Sequence, residues 1–298
     1  MNKGLAAAFV AYFLFSSADA CIKALGGHLP VFEILFFIMV AHFLTLGAAK
    51  PANERWREAL VVHRPKLVFL RAVFGTVAGL LNVYAFTRLP LSEAYALIFL
   101  LPAFVTVLSI PILGEQVGWR RWFAVAIGLV GVILVVRPGF RELNLGHLAA
   151  LASAVCGAGT MIVLRVLGPT ESRITLLTVA YTMAVVVNGI LMIPGFVPPQ
   201  LRDFAFIAYV GLAGGTGQIL MIVSMKLAPA SQVVSIQYTQ IIWAVVFGAI
   251  FFGDWPDGVA LAGMVLVGLS GLITVLREGQ IHGWSRRFLL LINRPDEV

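Results

Sequence analysis

Leu89–Glu115 reads LPLSEAYALIFLLPAFVTVLSIPILGE, and a variant of it returns at Ala228–Asp254 as APASQVVSIQYTQIIWAVVFGAIFFGD. Pro90 answers Pro229, Ser92 answers Ser231, Gly114 answers Gly253 and Glu115 answers Asp254, each at a spacing of 139 residues. At a spacing of 140, Gly128 answers Gly268, Gly131 answers Gly271 and Arg137 answers Arg277. A repeat half as long as the chain describes a duplicated, fused unit. It sets the expected organisation: a first five-helix repeat over 1–140, a second over 141–280, and a short tail over 281–298.

Both copies are almost wholly apolar. The 298 residues are 60% hydrophobic and 12% charged, against about 25% charged in soluble domains. Ten runs approach the roughly 20 residues that cross a bilayer as a helix: 4–24, 31–49, 67–87, 92–112, 120–136, 145–166, 174–194, 204–226, 231–252 and 257–276. Most are apolar on every face, as membrane helices are. The fold class expected is therefore all-α: a polytopic membrane protein with ten transmembrane helices in two inverted five-helix repeats. Inversion follows from arithmetic, because five crossings leave the second copy upside down. Inverted repeats characterise secondary transporters, which bind solute near the midplane and open alternately to each face.

The first run, with Lys3, an apolar stretch and Ala18-Asp19-Ala20 ahead of Cys21, has some features of a signal peptide. The repeat argues for keeping it, since 145–166 needs 4–24 as its counterpart. The formal charge of +7 is explained by orientation rather than nucleic acid. Sixteen of the 21 Lys and Arg residues fall on one side of the ten spans and five on the other, namely Lys23, Arg88, Arg137, Arg141 and Arg202. The richer side is expected to be cytoplasmic, with both termini there. Cys21 and Cys156 lie in apolar runs and read as packing residues. The loop 50–66 is basic, and the tail after Arg277 is too short to span; it either lies on the inner leaflet or frays.

Four helices carry polar groups inside the bilayer, where such groups face a cavity or a partner helix. Tyr12, Ser16, Asp19 and Lys23 form one stripe on the first. Asp19 and Lys23 are either an ion pair near the outer end or, for Asp19, a site for an ammonium or a proton. The fourth helix carries Tyr95 and Phe99, then Pro102, which removes a backbone donor and is expected to kink the helix as a gate or as a packed bend. The ninth has Gln237, Tyr238, Gln240 and Trp243 near mid-depth, where amides and aromatic faces either recognise solute or bridge helices. Gln218, beside Gly211, Gly214 and Gly215 on the eighth helix, completes the set with Asn82 on the third and Met161 on the sixth. His42 reads as packing or a helix bridge rather than a proton carrier. Arg71 at one end, and Arg88 with Glu93 at the other, are candidate gate ion pairs or interfacial anchors. Gly128/Gly131 and Gly268/Gly271 read as packing faces, within a monomer or between monomers.

The blocks YAFTRLPLSEAYALIFLLPAFV…GE, RRWFAVAIGLVGVILVVRPG and KLAPASQVVSIQYTQIIWAVVFGAIFFGDWPD resemble the EamA repeat of the drug/metabolite transporter superfamily. The resemblance covers nearly the whole chain, roughly 4–138 and 145–278, and extends to YddG-type bacterial aromatic amino-acid exporters. It implies ten helices, cytoplasmic termini in a bacterial inner membrane, and a central cavity built by the third, fourth, eighth and ninth helices. The substrate-binding set expected is Tyr12, Ser16, Asp19, Asn82, Tyr95, Phe99, Met161, Gln218, Gln237, Tyr238, Gln240 and Trp243, with Pro102, Arg88 and Glu93 in gating. The function expected is export of aromatic or neutral amino acids or related metabolites. Import of a larger aromatic solute, such as a flavin or nucleoside-type compound, is the alternative. No zinc-protease, nucleophile-elbow or nucleotide-binding motif is present, so no enzyme activity and no cofactor or metal are expected. The partners expected are a small-molecule substrate and the lipid bilayer, with no nucleic acid, in a monomer or weak homodimer.

Overall fold

Apolar chain removed from water must satisfy its backbone internally, and an α-helix does so within one segment. The computed structural model describes residues 3–49, 61–114, 117–137, 143–167, 170–228, 233 and 236–270, and these form helices with no strand among them. The helices are α1 (Lys3–Leu25), α2 (Val31–Ala49), α3 (Pro65–Arg88), α4 (Leu91–Ile98), α5 (Leu101–Leu113), α6 (Trp119–Val136), α7 (Leu145–Leu167), α8 (Arg173–Met192), α9 (Leu201–Leu227), α10 (Thr239–Phe252) and α11 (Gly258–Ser270). Among the described residues, six apolar spans are long enough to cross a membrane, Leu91–Leu113 counting as one. Four shorter apolar helices accompany them: Val31–Phe43, Trp122–Val136, Thr239–Phe252 and Gly258–Ser270. The chain is thus a multi-pass membrane protein. Leu212, Ile190 and Ile250 are well exposed, as side chains facing lipid tails are. Residues 50–60 of the basic loop, Glu115 and the tail 281–298 lie outside the described residues.

The most extensive pairings are α1 with α9 and α3 with α7, while α2 packs on α8 and α9. The short helix α4 sits against both α7 and α10. Alternating glycines close the α6–α11 seam: a Cβ on Gly131 would lie 2.7 Å from the Gly263 carbonyl oxygen, so only glycine allows this approach. Ser270 Oγ donates to Ala124 O across the same seam at 2.6 Å. Gly128 and Gly131 therefore pack inside the monomer, whereas Gly268 meets nothing within 4 Å.

The repeat punctuation has a backbone meaning. Gly114 ends α5 and Gly253 ends α10, both left-handed, at φ +66° and +68°. Such a helix ending favours glycine. The fourth predicted run is broken, and the break lies ahead of Pro102. It is a turn at Phe99–Leu100, and Pro102 falls within the first two positions of α5, where its missing N–H leaves no bond unmade. The echo breaks at the matching place, with Gln237–Tyr238 as a turn before α10 and isoleucine, Ile241, where the first copy has Pro102. The proline is therefore not what both breaks share. What they share is an aromatic residue, and the Phe99 and Tyr238 rings meet edge to face at 5.6 Å.

Candidate functional site

Within α1, Asp19 faces the centre of the bundle, and its partner is Tyr95 on α4. The Tyr95 hydroxyl donates to Asp19 Oδ2. Ser16 Oγ lies 3.5 Å from the same hydroxyl, and Gln240 Nε2 on α10 donates to it at 3.4 Å. Four side chains chosen from three separate stretches thus converge on one oxygen. An aromatic ladder continues from them, Phe86 to Tyr95 at 5.5 Å, Tyr95 to Phe99 at 5.4 Å, then Phe99 to Tyr238. Buried polar groups of this kind must be paired, and here they pair across both halves of the chain.

Asp19 also lines a cavity of about 240 Å³ enclosed by α1, α2, α3, α8 and α9. Asn82 on α3 and Gln218 on α9 line it as well, along with His42 and Tyr181. Gly214 lets α9 approach the His42 imidazole closely, a position a Cβ would fill. The Asn82 side-chain oxygen is buried without a hydrogen-bond partner among the described residues. The site therefore offers a carboxylate, two amides, an imidazole and a phenol against apolar walls. That set can hold an ammonium group and orient a polar head while aliphatic or aromatic parts rest on Phe15, Leu35 and Phe86.

Other predicted residues stand elsewhere. Tyr12 packs edge to face on Phe15, with Ala8, Ala228 and Val233 around it. Trp243 sits among Phe9, Phe13 and Phe247, its indole Nε1 buried with no hydrogen-bond partner among the described residues. Met161 is 52% exposed on α7. Gln237 is partly buried in the turn before α10, where its carbonyl accepts from Gln240 N at 2.9 Å. Tyr238, besides meeting Phe99, borders an apolar groove between α10 and α11. A larger apolar groove of about 730 Å³ lies between α1, α9 and α10. Its hydroxyls, Ser17 and Tyr209, are 2.7 Å apart and bound to each other.

The end of the bundle where α1 finishes is closed by polar ties. Lys23 does not take up Asp19, four residues away, as its partner. Its Nζ lies 2.7 Å from Asp254 Oδ2 and donates to Leu89 O at 2.7 Å, over the Phe252 ring. One cation so joins the ends of α1, α3 and α10. Arg137, itself left-handed at φ 48°, reaches Asp257 at the start of α11. Glu93 Oε2 faces His147 Nε2 at 3.5 Å, and the Arg88 guanidinium lies over the Tyr84 ring. Glu33, fully buried at the start of α2, accepts from Val197 N ahead of α9.

Toward the opposite end the cavity continues. A second space of about 210 Å³ shares the walls Leu35, Met39, Gly79, Leu177 and Tyr181 with the first and reaches Arg71. There Glu171 accepts from the backbone N–H groups of His63 and Arg64, at 2.8 and 2.6 Å, fastening the entry to α3 onto the loop before α8. Sequence reasoning left Tyr181 unremarked and treated His42 as packing; both were legible only as residues in long apolar runs. Besides His42, the cavity-facing residues of α2 are the apolar Leu35, Ile38 and Met39, which carry no polar signal.

A sequence profile of the EamA-like transporter family matches residues 2–137 and 144–276. The chain is 26% identical over 270 residues to the pseudopaline exporter CntI of Pseudomonas aeruginosa, covering 90% of this chain and 94% of that one. It is 23% identical over 270 residues to the S-adenosylmethionine uptake transporter of Rickettsia bellii, covering 88% and 90%. It is 26% identical over 302 residues to human solute carrier family 35 member G1, covering 92% and 79%. A solved crystal structure superposes with a TM-score of 0.64 at 15% identity, over 93% of this chain and 98% of the other, a likeness of fold alone.

Proposed function

The chain belongs to the EamA-like transporter family, and from that premise we propose that it is a secondary transporter exporting amino acids, aromatic or neutral, or related small metabolites by alternating access. The observation that carries this reading is the cavity itself. It holds the Asp19 carboxylate at its inner wall, is closed beyond Asp19 by the Lys23–Asp254–Leu89 tie, and continues the other way to Arg71. A solute bound at Asp19 lies in a space that continues toward Arg71.

Ten spans in two inverted repeats, divided near residue 140, account for several pairings. In that arrangement the third helix of each half meets the first helix of the other, as α3 does α7 and α9 does α1. The second helices then meet each other (α2, α8), as do the fourth (α4, α10) and the fifth (α6, α11). The charge asymmetry supports an orientation with the Arg71 end and both termini in the cytoplasm and the Lys23 end outside, here taken to be in a bacterial inner membrane. The state described is then inward-open. Substrate recognition is assigned to Asp19, Asn82, Gln218 and Tyr95, with Ser16 and Gln240 holding the Tyr95 hydroxyl, and Phe99 and Tyr238 flexing where α4–α5 and α10 break.

Direction does not follow from kinship, since one relative bears the name of an exporter and another that of an uptake transporter. Import of a flavin-sized solute is the second reading. The Asp19 carboxylate on the cavity wall supports the first reading, because an amino acid brings an ammonium to it and a flavin brings no cation.

The test is counterflow in proteoliposomes holding the full chain, with labelled neutral and aromatic amino acids in one arm and labelled riboflavin in the other. Amino-acid exchange is expected, lowered about tenfold or more by Asp19→Asn, a loss of ~1.4 kcal/mol or greater. Exchange of riboflavin alone would select the second reading. Wild-type rate and wild-type pH dependence in Asp19→Asn would remove Asp19 from both substrate binding and proton coupling.

A further inference from the structure

Arg71 lies two turns into α3, inside the second cavity. Its Nη1 donates to Leu176 O at 3.0 Å, while its Nε is buried with no hydrogen-bond partner among the described residues. No carboxylate lines that cavity among the described residues. Five residues further along the same helix, Thr76 lines the same space; it is 7% exposed and its hydroxyl is also buried without a partner among the described residues. Tyr181 adds a phenol to the wall. A guanidinium taken out of water without a counter-ion is unfavourable, and so is an unpaired buried hydroxyl. An anion beside Arg71 would supply the missing counter-ion, and the planar guanidinium fork suits a carboxylate.

We infer that Arg71 and Thr76 form an anion subsite for the transported solute, so that the cargo carries a carboxylate well separated from the cationic group taken by Asp19. This rests on the transport reading above and narrows it from amino acids to longer amphoteric metabolites derived from them. Thr76 and Asn82 are six residues apart on α3, about 9 Å at 1.5 Å per residue. Asn82 shares its cavity wall with Asp19, and Thr76 shares its wall with Arg71. The two charges of a single α-amino acid are too close to engage both poles. An extended tripeptide, at about 10 Å, matches the length of α3 between Thr76 and Asn82.

The experiment uses the full chain in lipid nanodiscs and three probes of equal length: triglycine, triglycine amide without the carboxylate, and N-acetyl-triglycine without the ammonium. Affinity is read from the ligand-dependent rise in thermal unfolding midpoint. Triglycine is expected to bind about tenfold or more tightly than its amide, the size of one charge-assisted hydrogen bond. Arg71→Gln abolishes that preference, Arg71→Lys retains part of it, and Thr76→Val weakens triglycine without weakening the amide. Equal binding of triglycine and its amide by the wild type, binding of none of the probes, or a preference preserved in Arg71→Gln overturns the inference. Equal binding of triglycine and N-acetyl-triglycine, with the amide still disfavoured, supports the Arg71 subsite and sinks the Asp19 ammonium site instead.

Discussion

Removing the Lys23 charge should open the end of the bundle that it closes. Its ammonium is 2.7 Å from Asp254, with the two side chains 14% and 25% exposed. At an effective dielectric near 20, two unit charges at that distance attract by about 6 kcal/mol. Most of this is offset by the water each group gives up, which leaves about 1.5–3 kcal/mol for a charge-assisted hydrogen bond. If the open arrangement lacks the pair, losing it shifts the closed-to-open ratio by about tenfold to a hundredfold. The assay is modification of a thiol at Ile22, which lines the cavity just inside the tie. Ile22→Cys is placed in a Cys21→Ser, Cys156→Ser background, and a membrane-impermeant maleimide is added from the Lys23 side. Lys23→Met and Asp254→Asn should each raise the labelling rate by about tenfold or more, and the reversed pair Lys23→Asp/Asp254→Lys should lower it again. Labelling within about twofold of the parent in both single variants would mean that the pair is an ornament of the surface and that something else seals this end.

Gly131→Leu should push α6 from α11, because its Cβ would sit 2.7 Å from backbone. A cost of about 1–3 kcal/mol should appear as a lower unfolding midpoint in nanodiscs, while Gly268→Ala, with nothing within 4 Å, serves as the silent control. Glu171→Ala strands the His63 and Arg64 amides; about 1.5–3 kcal/mol should be lost, with faster amide exchange confined to the start of α3. Trp243→Ala should lower stability through contacts with Phe9, Phe13 and Phe247, each worth about 0.5–1.5 kcal/mol, and leave KM alone. Gln218→Ala should do the reverse, raising KM at unchanged stability; the opposite assignment would return Trp243 to the site.

The apolar runs and the two glycine endings were legible because they depend on local chemistry. Gly114 and Gly253, matched in the repeat, adopt the same left-handed conformation. The helix breaks were not legible, since an apolar run looks the same whether its backbone continues or turns, and Pro102 drew attention three residues too late. Side-chain partners failed for another reason. Spacing along one helix offered Asp19 to Lys23, but tertiary packing brings each a better partner from far along the chain, Tyr95 and Asp254. Arg71 reads in the sequence as a gate ion pair or an interfacial anchor, and only tertiary packing sets it beside a cavity lined by no carboxylate among the described residues.

The contact between Phe99 and Tyr238 carries a consequence for how such a chain can evolve. In a dimer of identical subunits, a residue on the symmetry axis meets its own copy, so any substitution there is made twice. Two copies joined in one chain escape that rule. Here phenylalanine faces tyrosine, and a single hydroxyl has been admitted on one side of the meeting point without its mirror image. A fused transporter can thus become chemically lopsided where its two copies touch, and fit an asymmetric cargo, one mutation at a time.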